Sequence, residues 1–133
     1  MIVFSIDSRA GVPTYLQIVQ QAKRALRLGA LNVGDQLPTV REVVASLAIN
    51  PNTVLKAYRE LEGKGLVKSK PGRGTFVIRT LGRTLPANLS QIQEGLRRWI
   101  SSAYEAGLGP EEILDLMMSA LRESELDQRE GTA

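Results

Sequence analysis

The chain has 133 residues, with Lys+Arg at 17, Asp+Glu at 14, a formal net charge of +3, and neither cysteine nor histidine. That length fits one domain, or two very small ones sharing a core, and excludes a long two-domain enzyme. Without Cys and His there is no disulfide framework, no thiolate or imidazole zinc site, no triad with a His base and no haem anchor, so no metal or cofactor is expected.

The opening Met1-Ile2-Val3-Phe4-Ser5-Ile6-Asp7 shows neither the basic leader nor the small-residue cleavage site of an export signal. No segment approaches the about 20 apolar residues of a membrane span, so a soluble cytoplasmic chain with no membrane partner is expected. The total charge hides an asymmetry. Residues 1 to 80 carry twelve basic and five acidic groups, a balance of +7, whereas residues 81 to 133 carry five and nine, a balance of −4. The first part suits a polyanion and the second would repel one.

In chain order, Gly11-Val12-Pro13-Thr14 leads into a helical pattern in which Tyr15, Ile18, Val19, Ala22 and Leu26 share a face, with Gly29 as its stop. A short element, Asp35-Gln36-Leu37, precedes Pro38. Thr39-Val40-Arg41-Glu42 offers a capping box, and Val40, Val43, Val44 and Leu47 follow at helical spacing, which predicts a helix from about residue 39 to 48. Asn50 as cap and Pro51 at the first helical position restart the chain, with Val54, Ala57, Tyr58 and Leu61 on the apolar face. The period then changes. Leu66–Lys70 and Thr75–Arg79 are expected to be strands joined through Pro71-Gly72-Arg73-Gly74.

Beyond the connector Thr80–Pro86, Leu89, Ile92, Leu96, Trp99, Ile100 and Ala103 fall on one helical stripe, and Gly107-Leu108-Gly109-Pro110 breaks it. A last helix carries Ile113, Leu114, Met117 and Leu121, with Glu111 and Glu112 in its first turn. The stretch from Ser124 onward is polar and expected to fray. The expected fold is mainly α with a small β hairpin. It is read as a winged helix-turn-helix over residues 1–80, followed by a short two-helix dimerisation tail over residues 81–133.

Three constellations carry chemistry. Lys68 and Lys70 lie on one side of a strand, and Arg73 sits at the hairpin tip between Gly72 and Gly74. Such a hairpin is either a solvated edge or, directly after a helix-turn-helix, a contact to DNA backbone or minor groove. Asn52, Thr53 and Lys56 occupy the polar side of the helix that Asn50 caps, where amide, hydroxyl and ammonium groups suit base edges and phosphates in a major groove. Arg41 stands in the first turn of the preceding helix, a position unfavourable to a cation, so it asks for an anionic partner: Glu42, Glu60 or a phosphate. The apolar stripes of the last two helices would either cover the winged domain or meet the same surface of a second copy.

The run from Gly34 to Glu42, the run Ile49-Asn50-Pro51-Asn52-Thr53-Val54-Leu55-Lys56-Ala57-Tyr58-Arg59-Glu60-Leu61-Glu62, then Gly65-Leu66-Val67 and Gly72-Arg73-Gly74-Thr75-Phe76-Val77 resemble the GntR family of bacterial transcription regulators. Pro13-Thr14-Tyr15-Leu16-Gln17-Ile18 fits as well. Asn50–Val54 and the short tail look like the YtrA-like branch. The resemblance implies a dimerising tail without a larger ligand-binding domain, and repression of an operon that often encodes an ABC transporter. It places DNA contacts on Arg41, Asn50, Asn52, Thr53 and Gly72. Pro51 and Leu55 stand where many relatives carry arginines, which shifts the burden to Asn52, Lys56 and Arg41.

The expected function is thus a homodimeric repressor that reads a pseudo-palindromic double-stranded operator, and not an enzyme. A winged module that binds protein without operator specificity is the alternative. The residues name no small-molecule effector.

Overall fold

The computed structural model describes residues 2–8, 11–82 and 84–131. Chain order gives α1 (Thr14–Arg27), α2 (Val40–Leu47), α3 (Pro51–Gly63), β1 (Val67–Lys70), β2 (Gly74–Val77), α4 (Leu89–Glu105) and α5 (Pro110–Gly131). The chain divides into two compact units between Leu85 and Pro86.

The first unit is a winged helix-turn-helix. Its core is assembled from the periodic apolar positions: Ile18, Val19, Ala22 and Leu26 of α1, Val43 of α2, and Val54, Ala57, Tyr58 and Leu61 of α3. Leu66, Val67 and Val77 close it from the hairpin, and Leu31 and Leu37 from the intervening loops. β1 and β2 are antiparallel, with Val67 opposite Val77 and Lys70 opposite Gly74. The strands are shorter than expected: Ile78 N–H still donates to the Leu66 carbonyl in register, but Leu66 N–H turns back to the Leu61 carbonyl at 3.1 Å and the ladder ends there. The short element before Pro38 pairs with the other edge of β2. Leu37 N–H donates to the Thr75 carbonyl at 2.9 Å and Val77 N–H to the Asp35 carbonyl at 2.8 Å, so β2 is bonded on both sides.

Between α2 and α3 the chain reverses at Ala48, which adopts the left-handed conformation with φ +53°. This is the one described non-glycine residue with positive φ, and it costs about 1 to 2 kcal/mol relative to a relaxed backbone. The turn is fixed from within the core. The Tyr58 hydroxyl donates to the Pro38 carbonyl at 2.5 Å, linking α3 to the entry of α2.

An N-terminal arm also belongs to this unit. Phe4 is buried in the core, and two glutamines one helical turn apart on α1 hold the arm's backbone. Ser5 N–H donates to Gln21 Oε1 at 2.9 Å, and Gln21 Nε2 donates back to the Ser5 carbonyl at 2.6 Å. Gln17 does the same for Asp7, at 2.8 Å and 2.9 Å, and also donates to the Val12 carbonyl. The match is geometric: four residues of helix rise about 6 Å, close to the rise of about 6.6 Å for two residues of extended chain.

The second unit has almost no interior. Of its described residues only Ala103 and Ile113 are buried, where the end of α4 meets the start of α5. Leu89, Ile100 and Met117 are half-buried, while Ile92, Leu96, Trp99, Leu114 and Leu121 are exposed. The expectation that the chain frays from Ser124 is not met, since α5 continues to Gly131. No glycine or proline interrupts Ser124–Glu130, and Glu, Leu, Gln and Arg are good helix formers. Among the described residues, no helix is long and apolar enough to cross a membrane.

Candidate nucleic-acid interface

The N-termini of α2 and α3 are both capped by side chains. Thr39 Oγ1 accepts from the Glu42 N–H at 3.1 Å and donates its hydroxyl proton to Glu42 Oε1 at 3.2 Å. The Asn50 side-chain oxygen accepts from the Asn52 N–H at 2.8 Å, and Pro51 fills the first helical position. Asn50 is therefore committed through its oxygen to holding the helix start, and only its amide nitrogen remains to meet another molecule.

The capping geometry leaves Arg41 exposed. Glu42 is drawn back to Thr39. Glu60 keeps a buried Oε2 with no hydrogen-bond partner among the described residues, and Arg41 forms an ion pair with neither carboxylate there. In α4, Glu94 meets both Arg97 and Arg98. An exposed guanidinium at a helix N-terminus with no ion-pair partner among the described residues is placed for an external anion.

On α3, Asn52 is exposed and Thr53 is half-buried beside it. Lys56 is exposed, but its Nζ stands 4.1 Å from the centroid of the Tyr15 ring of α1. That cation–π contact fixes the ammonium toward α1, at the border of the polar face rather than its centre. Nothing in the helical spacing announced it, because the partner comes from another helix.

The wing brings its cations together as the strand period predicts. Val67 is buried, so Lys68 and Lys70 share the outward face with Phe76, which lies opposite Lys68. Lys70 Nζ stands 5.1 Å from the Phe76 ring. At the tip, Arg73 N–H closes the turn on the Lys70 carbonyl at 2.9 Å, and Gln36 Nε2 reaches the Arg73 carbonyl at 3.3 Å. The two flanking glycines have different reasons. A Cβ on Gly74 would lie 2.4 Å from Gln36 Nε2, so this residue is internal packing. Gly72, at φ +73°, has nothing within 4 Å of that position, so its space is open to another molecule.

Tyr58, beneath this surface, has its phenol pushed well above the usual range by burial, with the Glu42 carboxylate adding to the effect. It stays protonated and keeps its bond to Pro38. The Gln17–Gln21 clamp, the Tyr58–Pro38 bond and the Tyr15–Lys56 contact were not anticipated. Only the glutamine pair left a trace in the sequence, as two amides four residues apart on one helix face.

The family profile described as bacterial regulatory proteins, gntR family, matches residues 14–77. The transcriptional repressor YtrA of Bacillus subtilis is 39% identical over 112 residues, 84% of this chain and 86% of that protein. Among solved structures, a transcriptional antiterminator from Listeria monocytogenes is 31% identical with a TM-score of 0.55, covering 90% of each chain. YtrA from Sulfolobus acidocaldarius, a GntR-family transcription factor, is 27% identical with a TM-score of 0.54, covering 75% of this chain and 99% of that one. The α2–α3 surface and wing described above lie within the matched residues, and the chain belongs to the YtrA-like branch of the GntR family of DNA-binding transcription regulators, not to an enzyme family.

Proposed function

We propose that the chain is a repressor that binds a pseudo-palindromic operator as a homodimer, with residues 1–80 on the DNA and residues 81–133 joining the two copies. The observation that carries this reading is Arg41, an exposed cation at the start of α2 with no ion-pair partner among the described residues. In this reading Arg41 meets phosphate, Asn52 and Thr53 at the start of α3 enter the major groove, and Asn50 adds its amide nitrogen at the edge. Lys56, Lys68, Lys70 and Arg73 neutralise phosphates, and Gly72 lets the wing backbone approach the duplex.

The tail supports the dimer. Leu89, Ile92, Leu96, Trp99 and Ile100 with Leu114, Met117 and Leu121 form apolar stripes that a single copy leaves half-buried or exposed, whereas Ala103 and Ile113, expected on the same surface, are already covered at the α4–α5 elbow. A two-fold pairing of the same surface is the common way to bury such stripes, and it would set half-sites one DNA turn, about 34 to 36 Å, apart. The alignment with the Bacillus subtilis repressor spans 84% of this chain, more than the winged unit alone holds, so the likeness runs into the tail.

The test is a mobility-shift series of Arg41→Ala at rising salt. Operator affinity should fall, the dependence of log K on log salt should flatten by about 0.9 per lost phosphate contact, and the melting temperature should not change. Unchanged affinity and slope would remove Arg41 from the interface. Absence of any sequence preference would favour the protein-binding alternative.

A further inference from the structure

Between α2 and α3 lies a shallow apolar depression lined by Val40, Arg41, Val44, Ala45 and Pro51. Val40 and Val44 are half-buried, whereas Arg41, Ala45 and Pro51 are exposed. The floor joins the first two turns of α2 to the first residue of α3, so it sits between the residues assigned above to DNA, with Arg41 on its rim and Asn52 next to Pro51. We propose that this depression reads thymine, by receiving its C5-methyl group in the major groove. The inference rests on the reading of the α2–α3 surface as the DNA-facing one.

Charge and chemistry together choose the occupant. The Arg41 guanidinium on the rim carries a full positive charge, and the start of α2 adds the positive end of its helix dipole. A polyanion is therefore drawn over an apolar floor. Apart from Arg41, the lining side chains neither donate nor accept hydrogen bonds, and Pro51 has no backbone N–H. A purine N7 or O6, or a cytosine amine, facing this floor would lose water and gain no partner. The thymine methyl is the one apolar group that the major-groove edges of the bases present, and it loses nothing there.

The experiment uses the full chain and duplexes that it selects from a random-sequence library. Each thymine is replaced in turn by deoxyuridine, which removes the methyl and leaves every hydrogen-bonding edge intact. Affinity should fall about fourfold for each methyl buried, about 0.8 kcal/mol, at one thymine per half-site, and the variant Val44→Thr/Ala45→Ser, which makes the floor partly polar, should narrow the difference between thymine and deoxyuridine duplexes. Circular dichroism checks that the variant folds, and the deoxyuridine scan on the unaltered chain decides the matter without it. Selected duplexes that outcompete random DNA yet show no deoxyuridine effect at any position would overturn the thymine inference and leave the DNA-facing assignment standing. A scan effect that persists undiminished in the folded variant would also overturn it. Failure to select any sequence above competitor would overturn both.

Discussion

The two units of this chain use the same material differently. In the winged unit the helical apolar positions are spent on its own core: Ile18, Val54, Ala57 and Leu61 are fully buried. In the tail unit equally regular stripes stay in contact with water: Ile92 is 54% exposed, Leu96 43% and Leu121 63%. Three helices closed by a hairpin and an arm enclose an interior, whereas two helices that meet at an elbow enclose only Ala103 and Ile113. The lesson is that periodicity identifies a face that needs covering and says nothing of which surface covers it. Burial within one copy marks the unit that encloses its own apolar faces, and exposure marks the one that leaves them uncovered.

The sharpest way to break this contrast is to charge the uncovered stripe. Leu96→Glu with Trp99→Glu should leave each helix intact, convert a dimer to a monomer in sedimentation, and lower operator affinity by about 100- to 10,000-fold as the second half-site is lost. A dimer that survives both substitutions would mean the stripe is covered by something else. Next in size, Leu61→Ala inside the complete unit should cost about 2 to 5 kcal/mol in denaturant unfolding. Ile92→Ala in the open unit should cost far less in a monomeric background, and equal losses at both sites would dissolve the distinction.

Tyr58 gives a pH-resolved version of the same comparison. Its folded pKa lies above the unfolded value of about 10, so the folded chain holds a proton that the unfolded chain releases. That stabilisation is complete below about pH 10 and is lost as pH rises further, at up to about 1.4 kcal/mol per pH unit. Unfolding curves of Tyr58→Phe should lie lower near neutrality by about 1 kcal/mol, for the lost bond to Pro38, but lack this alkaline decline. The smallest expected change is a gain: Ala48→Gly relaxes the left-handed turn between α2 and α3 and should add about 0.5 to 1 kcal/mol. A loss there would show that the Ala48 methyl contributes more than its strain.

Much of the winged unit was legible because its signals are local. Thr39 and Asn50 announce their helices through hydroxyl and amide groups that satisfy backbone N–H groups a few residues away, and both caps form. The strand period placed Lys68 and Lys70 on one face, and glycines marked the wing turn. The length of α5 follows from propensity and not from polarity: Ser124–Glu130 is polar apart from Leu126 yet contains nothing that stops a helix. The pairing of Asp35–Leu37 with β2, the glutamine clamp on the arm, and the Lys56–Tyr15 contact were out of reach, since each joins segments whose separation along the chain has no periodic signature.

The sequence by itself determined the elements, the capped helix starts, the charge division at about residue 80 and the family, because all four depend on residues read in order and at short range. Only the tertiary structure decided which polar groups remain available. The Lys56 ammonium is drawn to an aromatic ring of another helix and the space at Gly74 is filled by Gln36, while Arg41, Asn52 and Gly72 stay open. It also placed Val44, Ala45 and Pro51 around one apolar depression. The physical reason is that availability is a property of the space around a group, and that space is filled by residues distant in sequence.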